Sequence, residues 1–328
     1  KFGIWIEPEM TNSKSELFEK HPEWVIQQPH REMHKGRGGT QLVLDLSNPE
    51  VQEFVFGVVD KLMTAHPEIA YIKWDANMTL FNYGSTYLPR DKQSHLYIAY
   101  HRGLENILKR IHAKYPGLVM QACASGGGRI NYGMLPYYDE FWTSDNTDAI
   151  NRLTIQYGTS FGFPASAMGA HVSACPNEVN GRETPITTRG IVAMQGGGFG
   201  YELDLLKLPE RACEHIRNQV KRYHEVEDLV REGLFFRLSS PLSDAVCAWE
   251  YVAEDGSRAV VSAVLLSVNG YGVANYVVPR GLTPGALYRN LDTGVVYPAD
   301  ALMDAGFPLP VGLDANAAVM YRFERVDA

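Results

Sequence analysis

A chain of 328 residues with 45% hydrophobic content has apolar material for a sizeable core, in one large domain or two. Its net charge of −8, with no basic run and no basic stretch interleaved with aromatics, argues against nucleic acid and anionic membrane surfaces as partners. No apolar run reaches the roughly 20 residues that span a bilayer. The four cysteines are far apart and show no CxxC pair, which suggests reduced thiols rather than a disulfide framework or zinc knuckle.

The chain opens on "KFGIWIEPEM", which has no initiator methionine and enters a strand pattern directly; no signal peptide is visible. Strands are expected at residues 2–6, 42–44, 69–74, 118–122, 140–143, 167–172 and 199–203. Helical patterns lie between them. In the first, residues 48–66, Asn48 suits an N-cap and Pro49 the first turn, and Val51, Phe54, Val55, Val58 and Leu62 fall on one face. A second starts at Asp91 and is closed by Pro116-Gly117; others start at Thr147 and Pro209. Repeating strand–helix units imply a parallel sheet with crossover helices. From about Gly233 the texture changes. Residues 245–266 read as two strands around the Asp255-Gly256 turn, and 271–279, 286–298 and 316–326 as further short strands. Two domains are expected, 1–232 and 233–328.

The chemistry sits where apolar strands run into polar residues. In "YIKWDANM", residues 71–78, Lys73, Asp75 and Asn77 share one strand face. At the C-terminal end of a parallel strand they would occupy the position of an α/β-barrel active site. The bland alternative is a buried Lys73–Asp75 ion pair that only fixes a loop; such a pair gives little net stability, so function has to explain it. In "FWTSDNTDAI", residues 141–150, Asp145 ends a strand while Asp148 suits helix capping. Two carboxylates at two strand ends suit glycoside hydrolysis, one attacking the anomeric carbon or activating water, the other carrying a proton to the leaving oxygen. Lys73 would keep Asp75 ionised; Asp145, with no adjacent cation in sequence, is the better proton carrier.

"QACASGGGRINYG", residues 121–133, lacks a Walker pair and a GxGxxG pattern, so it is not a phosphate cradle. Glycines at a strand end let a sugar approach the backbone closely, and Cys123 is then either pocket-facing or an ordinary buried thiol. Trp5 is placed to pack on the C–H face of a sugar ring, whereas Trp74 and Trp142 read as core. Arg37, in "HKGRGGTQ", is a candidate donor to hydroxyls. Scattered histidines without an HExxH spacing, and no GxSxG elbow, leave no metal, cofactor or serine nucleophile expected.

Together "FGIWIEPEM", "YIKWDAN", "CASGGGR" and "SDNTDAINRLTIQYGTS" closely resemble glycoside hydrolase family 36, the microbial α-galactosidases, over most of residues 1 to about 230. The resemblance implies a TIM barrel that works by retaining double displacement, with Asp75 as nucleophile and Asp145 as acid/base. It further implies that Trp5, Arg37, Lys73, Asn77 and Cys123 line the galactose subsite. Two departures stand out. Ser125 replaces a family glycine in this loop, and "GRGGTQ" is longer than the family's "GRNQ". Family members also carry an N-terminal β-sandwich and two earlier barrel strands, one bearing paired aspartates for the sugar's O4 and O6. The expected fold is therefore α/β: an incomplete (β/α)8 TIM barrel lacking its first strands, followed by an antiparallel β-sandwich. Such a fragment would leave sheet edges exposed and is expected to be inactive or poorly folded in isolation.

The expected substrates are terminal non-reducing α-galactosides of the melibiose and raffinose type. An α-N-acetylgalactosaminidase or a transgalactosylase on the same fold, or a non-catalytic carbohydrate-binding protein, are the alternatives. A homo-oligomer in the full-length protein and a bacterial cytoplasmic location follow from family habit and cysteine usage.

Overall fold

The computed structural model describes residues 1–80, 83–268 and 274–326. The chain divides into two compact units, Lys1–Trp142 and Thr143–Ala328.

The first unit contains β1 (Phe2–Ile6), β2 (Met10–Asn12), α1 (Glu16–Lys20), β3 (Gln41–Val43), α2 (Pro49–Ala65), β4 (Ile69–Trp74), α3 (Leu96–Lys114), β5 (Val119–Ala122) and β6 (Glu140–Trp142). Strands β1, β4, β5 and β6 pair in that order, all parallel. Ile6 pairs with Trp74, Trp74 with Ala122 and Ala122 with Phe141, so the C-terminal ends of the four strands line up. The strand expected at 42–44 does not join them: β3 pairs antiparallel with β2.

Alternation decides which side chains reach the core. Ile72 and Trp74 of β4 and Met120 of β5 are fully buried with Val51, Val55 and Val59 of α2 and Leu104, Ile107, Leu108 and Ile111 of α3. The intervening residues Tyr71, Lys73 and Gln121 therefore take the other face. Asn48 caps α2 as its sequence suggests, accepting from the Glu50 N–H, with Pro49 in the first turn. The buried stripe is Val51, Val55, Val59 and Met63, while Val58 is exposed; the real face is rotated from the expected one. The pattern expected to start a helix at Asp91 begins as a 3-10 segment and becomes α-helical only at Leu96. Gly103 lets α3 approach the backbone after β3, since a Cβ there would lie 1.9 Å from the Leu46 carbonyl oxygen.

The second unit begins with α4 (Ala149–Thr159), β7 (Met168–Ser173), α5 (Ile186–Ala193), β8 (Gly198–Glu202), α6 (Glu210–His224) and α7 (Glu227–Glu232). Strands β7 and β8 are parallel. Then come β9 (Leu234–Arg237), β10 (Val246–Val252), β11 (Arg258–Leu265), β12 (Tyr276–Val277), β13 (Leu287–Asn290), β14 (Val296–Pro298), α8 (Ala299–Ala305), β15 (Phe307–Pro308) and β16 (Ala318–Val326). Among the described residues, six of these form an antiparallel sheet in the order β14-β13-β16-β11-β10-β9, and β12 pairs with β15. Ala248, Val252, Val261 and Phe323 of the sheet bury against Val277, Leu302 and Phe307. On β10, Tyr251 donates its hydroxyl to the Gln195 carbonyl at 2.6 Å. The strand expected at 271–279 falls partly on residues 271–273, outside the described residues; β12 occupies Tyr276–Val277.

Candidate active site

Asp75 follows β4 directly. Its N–H donates to the Ile6 carbonyl at 2.9 Å, which continues the β1–β4 ladder and locks the residue at the strand end. Its side chain is only 6% exposed. The Trp5 indole N–H donates to Oδ2 at 3.0 Å, and the Ala76 N–H to Oδ1 at 2.9 Å. Burial alone would push this carboxyl up, but hydrogen bonds from Trp5, Asn77, Cys123 and the Ala76 N–H outweigh it and hold Asp75 below the ordinary carboxylate value. The leading donors are thus neutral. Lys73, expected to perform this task, sits on the same face with Nζ 4.7 Å from the centroid of the Trp142 ring, a cation–π placement. Trp142 is buried core, as expected, but lies beside the site rather than away from it.

Cys123 is 3% exposed. Burial pushes its thiol up to about 12, so it remains a protonated donor toward Asp75 instead of a reactive thiolate. One layer deeper, the Tyr71 hydroxyl and the Gln121 amide both donate to Glu140 Oε1, at 2.5 and 2.7 Å.

A second set of bonds ties the surrounding loops together. Glu7 Oε1 accepts from the Asn77 N–H at 2.9 Å and from Gln41 Nε2 at 3.0 Å. Gln41 Oε1 in turn accepts from the Arg37 N–H at 3.3 Å. Arg37 is exposed in a 3-10 turn, and its guanidinium makes no hydrogen bond among the described residues. Ser125, at φ 50°, donates its N–H and its hydroxyl to Asn77 Oδ1 at 3.0 and 3.2 Å. Trp5, Lys73, Asp75, Asn77, Cys123 and Ser125 are therefore brought together in the first unit, with Arg37 on a loop tethered to them through Gln41.

The residue that sequence reasoning missed is Glu9. It is wholly buried and accepts four bonds. Arg129 donates twice, at 2.8 and 2.7 Å. The Trp74 indole donates at 2.7 Å and the Tyr100 hydroxyl at 2.5 Å. This hub joins the end of β1, the end of β4, α3 and the glycine loop after β5. Arg129 closing "CASGGGR" and a glutamate after Pro8 were the available signals, but their pairing has no local signature.

Asp145 belongs to the second unit, where it is exposed. The turn after it is built from side-chain bonds: Asn146 Oδ1 accepts from the Asp148 N–H at 3.0 Å, and Asp148 Oδ2 from the Asn151 N–H at 3.0 Å. Asp148 is the N-cap of α4, the structural role expected of it. Asp145 lacks a cation adjacent in sequence but has one in space. Burial lowers the buried Arg152 guanidinium to about 10, and the Glu202 and Asp145 carboxylates act against that shift. Among the described residues, no group of three or more His, Cys, Asp and Glu is placed to hold a metal ion, and no helix is long and apolar enough to cross a membrane.

Parallel strand–helix units with polar residues gathered at the strand ends define an α/β-barrel protein, and the architecture is shared at the level of fold alone with an α-amylase from Geobacillus thermoleovorans (TM-score 0.62, 12% identity). The chain belongs to glycoside hydrolase family 36: residues 1–233 match the melibiase family model, and 246–323 that of the glycosyl hydrolase family 36 C-terminal domain. It is 42% identical over 323 residues to the bifunctional alpha-galactosidase/sucrose kinase AgaSK of Mediterraneibacter gnavus, covering 98% of this chain and 33% of that protein. It is 41% identical to the alpha-galactosidase AgaA of Geobacillus stearothermophilus, covering 99% of this chain and 44% of AgaA. The AgaA crystal structure superposes with a TM-score of 0.95 over 99% of this chain and 45% of that one. The chain thus spans between a third and just under half of these relatives. The fold is the one expected, an incomplete (β/α)8 barrel followed by an antiparallel β domain.

Proposed function

We propose that this chain is the catalytic part of a retaining α-galactosidase that removes terminal non-reducing α-galactosyl groups from melibiose- and raffinose-type oligosaccharides. The observation that carries the reading is Asp75: a desolvated carboxylate at a parallel strand end, kept ionised by an indole N–H, a thiol and an amide. In the first step Asp75 attacks the anomeric carbon while Asp145 gives its proton to the departing glycosidic oxygen. In the second, Asp145 takes a proton from water, which attacks the same carbon, breaks the Asp75 ester and releases galactose with its configuration retained. Trp5, half exposed, offers its ring to the sugar, and Arg37, Lys73, Asn77, Cys123 and Ser125 complete the lining.

Several observations support this. The relatives named above are α-galactosidases. Variants of AgaA have been crystallised with raffinose and with stachyose. Each carries one substituted aspartate, and the two are separated by the same number of residues as Asp75 and Asp145. A division into domains 1–232 and 233–328 is supported by the limits of the two family models and by the change from α7 to β9. Four unpaired cysteines support a reducing, cytoplasmic compartment, and a homo-oligomeric full-length enzyme completes the proposal.

The test is turnover by the full-length enzyme of chromogenic α-galactoside, α-N-acetylgalactosaminide and β-galactoside, beside Asp75→Ala. The expected result is turnover of the α-galactoside alone, reduced by about three orders of magnitude or more in the variant. Preference for the N-acetyl substrate would transfer the assignment to an α-N-acetylgalactosaminidase. No turnover of any would leave sugar binding without catalysis as the better account.

A further inference from the structure

Two neighbouring residues of β1 grip Asp75. The Ile6 carbonyl accepts its N–H at 2.9 Å, and the Trp5 indole N–H donates to its Oδ2 at 3.0 Å. The register brings this about: Trp5 pairs with Lys73, and Asp75 lies two residues further on, toward the same face. Oδ1 takes the Ala76 N–H at 2.9 Å, so the two oxygens are held from two directions. An aspartate carboxyl turns easily about χ2, whose wells are broad, and its plane is fixed by what holds its oxygens. Ala76 follows Asp75 directly in the chain and secures one side; Trp5 secures the other from a separate strand. Trp5 has no need of this bond for its own sake. It is 52% exposed, and a ring that open can turn its N–H to water. An indole has a single donor, and here it is spent on the buried carboxylate, which leaves none for a sugar hydroxyl.

We propose that Trp5 is a positioning residue for the Asp75 carboxylate: its indole N–H fixes Oδ2, and it meets the sugar through its ring face alone. The proposal rests on Asp75 acting as the nucleophile. A carboxylate that attacks a carbon must present one oxygen along one line, and a donor anchored in the neighbouring strand limits its rotation at the moment of attack. Removing the N–H while keeping an aromatic face therefore slows the chemical step and leaves sugar binding alone. Two other roles predict different results. A bond that only satisfies a buried carboxylate predicts a loss of stability with the rate kept. A bond from the indole to the sugar predicts weaker binding with the rate kept.

The test uses the full-length enzyme with Trp5→Phe, which keeps a ring and loses the donor. A second replacement of Trp5, by benzothienylalanine, keeps the two-ring outline and puts sulfur where the N–H stands. The readings are kcat on a chromogenic α-galactoside and the inhibition constant of free galactose. Both replacements are expected to lower kcat by about 10- to 100-fold, the range for a hydrogen bond to a charged group. The galactose constant should move by less than about threefold. If Trp5→Phe fails to fold, the benzothienyl replacement, which preserves the shape of the ring, decides alone. An unchanged kcat overturns the proposal. A rise of about tenfold or more in the galactose constant with kcat retained also overturns it and makes the indole N–H a sugar donor. Parallel loss of both quantities with a lowered unfolding midpoint overturns it in favour of a purely structural role. An inactive parent enzyme refutes the galactosidase reading and this proposal with it. An active parent that Asp75→Ala silences, but that keeps its kcat without the indole N–H, refutes only the role of Trp5.

Discussion

Glu9 and Glu250 are both wholly buried carboxylates, yet their surroundings drive them in opposite directions. Burial disfavours charge on each. At Glu9 the bidentate Arg129 pair, with the Tyr100 and Trp74 donors, outweighs burial and holds the carboxyl below its ordinary value. At Glu250, among the described residues, only the Arg280 and Gly281 N–H groups donate, at 2.8 and 3.0 Å, Oε1 has no hydrogen-bond partner, and the carboxyl is pushed up. The consequences for stability have opposite signs. Glu9 contributes fully above its ordinary value of 4.5 and less as pH falls through its lower folded value. Glu250 contributes fully below 4.5 and less as pH rises through its raised folded value. Arg129→Met, which strands the Glu9 charge, is therefore predicted to cost about 3–5 kcal/mol in urea unfolding at neutral pH. Glu250→Gln is predicted to raise the melting temperature near pH 7 and to lose that advantage near pH 4; an advantage that persists in acid would contradict the account. Asp75 was legible in the sequence because i, i+2 spacing exposes a shared strand face. Glu9 was not, because its partner Arg129 lies 120 residues away and neither residue stands out locally.

Among the elements, α2 was the most legible: Asn48, Pro49 and the valines each say helix for a separate physical reason, and the cap forms as read. Its buried face was less so. The four valines crowd into one arc of roughly 100°, and Val59 is covered while its neighbour Val58 is exposed, a choice the spacing alone does not make. The β2–β3 pair was misread because three-residue strands carry almost no periodicity, so an apolar "QLV" looks like any buried strand. Gly103 illustrates a constraint that lies in the contact between elements. With the Leu46 carbonyl oxygen 1.9 Å from where a Cβ would stand, Gly103→Ala forces α3 outward. It is predicted to lose about 1–3 kcal/mol, measured by chemical unfolding, although alanine is the better helix former. A neutral or stabilising result would show that α3 does not approach that closely.

For the whole molecule, family and fold class could be read because each of the four motifs includes a strand end or the loop after it, where residues are chosen for chemistry rather than packing. The antiparallel domain was legible in kind from its short strands and turns, but not in strand order, which depends on long-range pairings such as β13 with β16. Retaining double displacement requires a covalent bond between Asp75 and galactose. The most direct measurement uses the full-length enzyme with a slowly turned-over fluorinated α-galactosyl substrate. The reaction is quenched in acid, the protein digested, and the labelled peptide located by mass spectrometry. The account predicts a fluorogalactosyl adduct on the peptide carrying Asp75. An adduct on any other residue, or no adduct with the β-anomer as first product, would contradict it.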